Sequence, residues 1–252
     1  MTLEGIKKTG GPKLFDLSSE KIREESRIEE KLRNSLFSLE NTLKKVRFDF
    51  SKEKSYLALI DILEAKMPEI YDNYDNYINF QLNRLPSAVV CKRGCGGCCV
   101  HYVASVEPIE LIFLDWQIKK RPDYSTILVN LFNKFQNFQN LADQEEDYDE
   151  DVVLYKYFLR GHCCPFQNKE GSCSIYKRRP IPCRMFFSIS KPELCVGTNV
   201  ISPENKNFIV ELPDDIEIII SQIGLLFESL ELTPMFYAGL LRMNELFGKF
   251  TE

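Results

Sequence analysis

Nine cysteines stand between residues 91 and 195 of this chain, and none stands elsewhere. That confinement constrains the fold more than any other feature, because thiols gathered in one stretch must cross-link, hold a metal or be absorbed into a core. Cross-linking is disfavoured. The N-terminal Met-Thr-Leu-Glu-Gly-Ile-Lys-Lys leads into no apolar run that would read as a secretory signal, so the expected location is the reducing cytoplasm. Nine is an odd number, and cysteine usage falls well below the roughly 8 to 10% of disulfide-built scaffolds. A chain of 252 residues also buries a sizeable core without staples. Reduced thiols held close together point to metal.

The first block reads Cys91-Lys-Arg-Gly-Cys95-Gly-Gly-Cys98-Cys99-Val-His101. Its glycines permit positive backbone angles and let amide N–H groups approach sulfur, which shapes a loop around a metal and tunes a cluster. Side chains on neighbouring residues diverge, so the Cys98-Cys99 pair implies a second site or a spare thiol. The second block runs from His162-Cys163-Cys164-Pro165 through Cys173 and Cys183 to Cys195. Spacings this long suit a wrapping segment that gives ligands to a centre begun elsewhere. Lys177, Arg178, Arg179 and Arg184 accompany it with no acidic neighbour from Ser174 to Pro192. Four thiolates around zinc or an oxidised 4Fe-4S core leave a charge near about −2, which such cations would offset; a phosphate patch or plain surface solvation is the other reading.

Outside the blocks the pattern is helical. Ile22, Ile28, Leu32, Leu36, Leu39, Leu43 and Val46 recur by threes and fours and predict a helix over 16–46. Ser51 is the expected N-cap of a second helix through Leu57, Ile60, Leu63 and Met67, with Pro68 interrupting it. Tyr71, Tyr74, Tyr77, Ile78 and Leu82 predict a third, whose Tyr stripe reads as buried packing rather than a ligand platform. Ser105 caps a helix through Ile109, Ile112, Phe113, Trp116 and Lys120, and another follows Pro122 through Leu141. The run 145–151 reads as a solvated acidic loop, and Val152–Leu159 is open between a strand and a helical turn. Ser202-Pro203 opens a loop, Phe208-Ile-Val-Glu-Leu predicts a short strand, Asp214-Asp215 begins a helix, and Thr233-Pro234 caps and opens the last one. The expectation is a mainly α protein with an irregular Cys-rich metal-binding core and few short strands. It divides into an N-terminal helical region over 1–85, a metal-binding domain over 86–200 and a C-terminal helical region over 201–252 packed on it.

At 44% hydrophobic and 27% charged residues the chain is no disordered segment, and no apolar run is long enough to span a membrane. Nucleic acid is excluded as a partner, since the first 90 residues carry fifteen basic and fifteen acidic groups and the net charge is −5.

The combination Cys-x3-Cys-Gly-Gly-Cys-Cys, Cys164-Pro165-Phe166, and Cys173-Ser-Ile-Tyr176-Lys-Arg-Arg179-Pro180-x-x-Cys183-Arg184 with a last Cys resembles the YkgJ-like cysteine-cluster proteins, the CxxCxxCC zinc- or iron-chelating family, over roughly residues 88–196. A flagellin lysine N-methylase belongs to it. The resemblance implies eight metal ligands: Cys91, Cys95, Cys98, Cys99, Cys164, Cys173, Cys183 and Cys195. Cys163 is left over. Cys91 and Cys95 are three residues apart where the family usually has two, which departs from the pattern in the first loop.

An iron-sulfur cluster of the 4Fe-4S type is the expected cofactor and zinc the alternative, since thiolate-only sites accept both. The first centre would take Cys91, Cys95 and Cys98 with one thiolate of the second block. Cys99 and the remaining thiolates would form another. Cys91-x3-Cys95-x2-Cys98 is also the radical-SAM spacing, but that loop follows the first strand of a partial barrel and this chain is helical. A Cys nucleophile paired with His101 or His162 competes with ligand, supporting and ordinary polar roles for either histidine. Three functions result: a redox or accessory metal-binding module; a zinc adaptor presenting helices to a protein partner; and a protein-lysine N-methyltransferase relative. The last would use S-adenosylmethionine by resemblance alone, for no Gly-rich loop follows a strand.

Overall fold

The computed structural model describes residues 18–92, 94–196 and 204–250; the Ser202-Pro203 turn and Arg93 fall outside them. Two long helices, α1 (Ser19–Leu43) and α2 (Glu53–Leu82), form an antiparallel hairpin. Its direction is legible in the cross-links: Glu25 accepts from Gln81 at 2.7 Å and Arg84 at 2.6 Å, Ser38 accepts from Lys66 at 2.9 Å, and Lys31 O accepts from Asn73 at 3.5 Å. Leu32, Leu36, Leu39 and Leu43 face Leu59, Ile60, Leu63 and Met67 in the seam, all of them buried. The Tyr stripe continues this packing. Tyr71, Tyr74 and Tyr77 are buried as packing residues, but their phenols are not at a rim: Tyr71 O–H donates to the buried Glu110, Tyr77 O–H donates to Glu211 O, and the Tyr74 hydroxyl is buried without a partner.

Pro68 does not interrupt α2. It lies on the exposed side of the helix, where the carbonyl it leaves unpaired reaches water, and the buried residues on either side of it hold the axis continuous. Ser51 is not the cap either, because its N–H and hydroxyl both turn back to Asp49 Oδ1 and Lys52 takes the N-cap position.

Helix α3 (Pro108–Lys119) is buried on nearly every side and forms the centre of the molecule. Ser105 does not cap it; Ser105 has φ 59°, and the helix begins three residues later at Pro108. Helices α4 (Tyr124–Ala142), α7 (Asp214–Leu225) and α8 (Phe236–Phe247) pack on α3, and α5 (Glu150–Leu159) packs on α4. The stretch Val152–Leu159 is helical: Asp149 accepts from the N–H groups of Asp151 and Val152, so part of the acidic run serves as a cap. Helix α7 starts at Asp214 as its acidic residues predict, and Asp215 pairs with Arg33 of α1 at 2.6 Å. The last helix begins at Phe236 rather than Pro234, because Pro234 O accepts from Val106 N–H and Val103 O accepts from Phe236 N–H, pinning the entry to another strand of chain.

Between α5 and α7 runs the irregular segment with short helix α6 (Ile181–Met185) and the strands β1 (Phe186–Ser188) and β2 (Asn207–Ile209), antiparallel with Phe187 opposite Phe208. This is the helical architecture with few short strands that the sequence predicts. One buried apolar cluster draws on α1, α2, α3, α4, α5, α7 and α8 together. Among the described residues no helix is long and apolar enough to cross a membrane.

Helices α3 and α8 meet closely at Gly239 of α8, where a Cβ would stand 2.6 Å from Leu111 Cδ1 of α3 and 2.8 Å from Thr233 O. Gly239→Ala should lower stability by about 1–3 kcal/mol, the usual cost of overpacking. Urea unfolding of the two proteins at equal metal content measures it.

Candidate metal centre

Each cysteine block is held by backbone bonds to the other. Cys164 N–H donates to Cys99 O at 2.7 Å, which joins the two blocks directly. Residues 166–174 fold back on themselves, with Ser174 N–H on Phe166 O at 2.7 Å and Asn168 N–H on Ser172 O at 2.9 Å. The tip of this turn rests on the first block. Gly171 has φ 79° and a Cβ there would lie 2.7 Å from Gly94 O, while a Cβ on Gly96, at φ 63°, would lie 2.1 Å from Gln167 Nε2. Two chain segments some eighty residues apart therefore meet backbone to backbone, which only glycine allows.

Cys91 is held from β1, Ser188 N–H donating to its Sγ at 3.2 Å. Cys98 and Cys99 sit in the 3-10 turn Gly97–Val100. Cys173 follows the fold-back and Cys183 sits in α6. Cys195 ends the turn Pro192–Cys195 directly against Gly97, where a Cβ would be 2.9 Å from Cys195 Cβ and 3.9 Å from its Sγ. All nine cysteines are free thiols.

The sulfurs influence one another in a definite pattern. Cys91 hydrogen-bonds Cys95, which raises the Cys91 thiol well above its ordinary range and, with the Gly97, Lys92 and Gly96 backbone, lowers Cys95 to about 5. Cys98 and Cys99 form a second such pair, with Cys98 lowered and Cys99 raised. Burial raises Cys164 to about 12 and also raises Cys173, Cys183 and Cys195. Beyond burial or a pair partner, charge on Cys98 adds to the cost of ionising Cys91, Cys99, Cys164, Cys173, Cys183 and Cys195. Cys195 also feels Cys95, whereas Cys183 feels Cys164 and Cys173.

The basic residues divide. Arg184 is buried at 1% exposure and wholly engaged: Nη1 reaches both Asp75 carboxylate oxygens at 2.7 Å, Nη2 donates to Lys177 O at 2.7 Å, Nε donates to Arg179 O at 2.8 Å, and the guanidinium lies 4.2 Å from the centre of the Tyr71 ring. It anchors the loop to α2 and leaves its charge with Asp75. Arg179 does what was expected of the whole group, favouring the thiolates of Cys98, Cys173 and Cys183. Lys177 and Arg178 are exposed.

His101 is buried between Phe158, 4.3 Å away centroid to centroid, and Phe186, at 5.3 Å; burial lowers its pKa to about 4 and its Nε2 has no hydrogen-bond partner. His162 lies beside Tyr157 at 5.6 Å. Cys163 is exposed, with Gly161 O at 4.0 Å.

Residues 90–208 match the family model described as a CxxCxxCC zinc- or iron-chelating domain. The match covers the whole of the Cys-rich segment. No curated protein and no solved structure matches the chain. The CxxCxxCC segment ends before α7 and α8, and both helical flanks lie outside it.

The donor chemistry of this CxxCxxCC segment fits a thiophilic metal: eight thiols lie in two neighbouring blocks, and burial opposes their ionisation unless a cation compensates it. Among the described residues no three His, Cys, Asp or Glu side chains yet surround a common point as ligands. The fit is therefore one of donor type and neighbourhood, and binding would draw the thiols inward.

Glu110 of α3 is a supporting residue that sequence reasoning missed, because at a helix start an acidic residue is favoured on dipole grounds alone. It is 1% exposed, and its Oε1 accepts from Ile181 N–H, at the start of the Cys183 helix, at 2.8 Å and from Tyr71 O–H at 3.1 Å; Oε2 has no partner. Burial raises its pKa to about 7, opposed by those two bonds and Arg184 and aided by Glu107. The folded state therefore binds the proton more tightly than the unfolded one, so the contribution of Glu110 to stability is full below about 4.5 and is lost as pH rises through about 7. Glu110→Gln should remove that part of the pH dependence, gaining on the wild type by up to about 3 kcal/mol above neutrality. Urea midpoints of both proteins across this window provide the measurement.

Proposed function

We propose that this chain is an iron-sulfur protein in which the eight CxxCxxCC cysteines form two thiolate sets around 4Fe-4S clusters, serving a redox or accessory role. The observation that carries the reading is the meeting of two distant Cys blocks at a glycine-backed seam, where Cys164 N–H donates to Cys99 O and Cys195 packs on Gly97. Cys91, Cys95 and Cys98 form one set with Cys195, which packs on Gly97 and feels Cys95. Cys99, Cys164, Cys173 and Cys183 form the other, joined by the Cys164 N–H bond to Cys99 O and near enough that a charge on one disfavours a charge on the next.

A bound cluster would supply one-electron chemistry. The chain's own residues supply its surroundings: Arg179 offsets thiolate charge, the Gly96 and Gly97 amides favour the Cys95 thiolate, and burial around Cys164 and Cys183 restricts water. Because much of the binding free energy of such a site is folding free energy, loss of metal should loosen the middle of the fold.

Zinc in the same two sets is the second reading, favoured by their division into fours, since closed structural zinc is four-coordinate. The helical flanks would then be what the chain presents to a protein partner. The methyltransferase reading gains no support from the described sheet, which is a pair of three-residue strands.

Anaerobically purified protein should contain iron and acid-labile sulfide and show visible absorbance that bleaches on reduction. Stoichiometric zinc without colour would establish the adaptor reading instead, and absence of both metals would defeat the two together. Cys195→Ala and Cys183→Ala should each remove one centre and leave the other, as metal and sulfide analysis will show; loss of all metal in either variant would refute the division into two sets.

A further inference from the structure

We infer that the groove between α1 and α2 binds an extended segment of a protein partner, holding its main chain with the side-chain amides of Asn76, Asn79 and Asn83 and reading one basic and one acidic side chain at its two ends. The groove lies outside the CxxCxxCC segment, and the inference goes beyond the metal-centre reading without resting on it.

Two helical stripes line this groove of about 270 Å³. From α1 come Glu24, Ile28 and Lys31, a spacing that sets them on one face. The facing stripe is made of amides: Asn73, Asn76 and Asn79, all the asparagines of α2, with Asn83 at its C-cap. Asparagine is a poor helix former, because its amide competes for backbone hydrogen bonds, so such a stripe does nothing for the helix itself. Asn73 spends its amide on Lys31 O across the hairpin. The amides of Asn76, Asn79 and Asn83 are exposed and, among the described residues, meet no partner. Each offers a donor and an acceptor, and an extended peptide presents both groups at every residue with no internal bonds of its own. From Asn73 to Asn83 the stripe is about 15 Å long, enough for about four extended residues. Half-buried Ile28 and Phe80 supply apolar surface beside the amides.

The two ends of the groove differ in charge. The bond from Asn73 to Lys31 O, and those from Gln81 and Arg84 to Glu25, place Lys31 at the Asn73 end and Glu24 at the Asn83 end. Arg84 is taken up by Glu25 at 2.6 Å, whereas among the described residues neither Glu24 nor Lys31 is in an ion pair. Seven residues of helix separate these two charges by about 10 Å, the reach of about three extended residues. A segment with a basic and an acidic side chain three residues apart answers both at once. A neutral glycan would use the amides and leave both charges unanswered.

Octapeptide libraries with Arg and Asp fixed three residues apart, in either order, test this on the full chain by fluorescence anisotropy, against libraries with two Arg, two Asp or two Ala fixed at the same positions. One of the opposite-sign orders should bind at least about tenfold more tightly than every other library. Glu24→Lys combined with Lys31→Glu should transfer that preference to the opposite order, which a merely structural disturbance would not do. Asn76→Ala, Asn79→Ala and Asn83→Ala together should weaken the preferred peptides by about tenfold or more, with the urea midpoint no lower than that of the wild type, since all three side chains are exposed. Binding of no library, equal binding of like-sign and opposite-sign libraries, an order preference that survives the charge exchange, full binding by the triple Asn variant, or binding of neutral oligosaccharides in place of the peptides would each overturn the inference.

Discussion

The buried Arg184 guanidinium joins the thiol-bearing segment to the helical scaffold, and the rest of the site depends on that joint. It immediately follows Cys183, and its bonds run to α2 through Asp75 and to the loop carbonyls of Lys177 and Arg179. Leaving such a charge buried and unpaired costs several kcal/mol, so the loop between Cys173 and Cys183 has little freedom to leave α2. Glu110 fastens the same segment from α3 through Ile181 N–H, and Tyr71 contributes to both, its hydroxyl to Glu110 and its ring face to Arg184. A loop with little regular structure thus gains a fixed course from three buried polar side chains. Its one accessible contribution to the thiols is then Arg179.

Charge explains why the site needs a counterion. The two thiol pairs can each share one proton, but every additional thiolate meets Cys98 and an apolar surrounding. Arg179, with Arg121 near Cys173, lowers that cost without cancelling it. A dication or a cluster core supplies the remainder, which is why chelation by this family and burial of its cysteines are compatible.

Sequence periodicity revealed the parts whose position depends on local burial: the α1 and α2 seams, the Tyr stripe and the acidic start of α7. It erred where a tertiary contact overrides a local signal. Pro68 is accommodated because its side of α2 faces water, Ser105 has an unusual backbone angle just ahead of α3, and Thr233-Pro234 is drawn into bonds with residues 103–106 instead of opening a helix. The two cysteine blocks were legible as blocks, and the fold brings them together at the glycine seam; the set of eight is what the family resemblance implies. The basic residues were legible as a group and not individually, for the partner that takes up Arg184 lies more than a hundred residues earlier at Asp75.

The two proposed thiolate sets differ in how deeply they are built into the protein. Cys91, Cys95 and Cys195 are positioned by β1, a glycine loop and a short turn, all at the edge of the apolar cluster. Cys164 and Cys173 pack against that cluster, and Cys183 is tied through its neighbours to α2 and α3. Metal in the inner set would be felt by the helices, because drawing Cys183 inward pulls on α6 and on the Arg184 and Glu110 anchors. Metal in the outer set would be felt mainly by the loops that carry it. The glycine seam, with Cys98 on it, is where one set can sense the charge of the other.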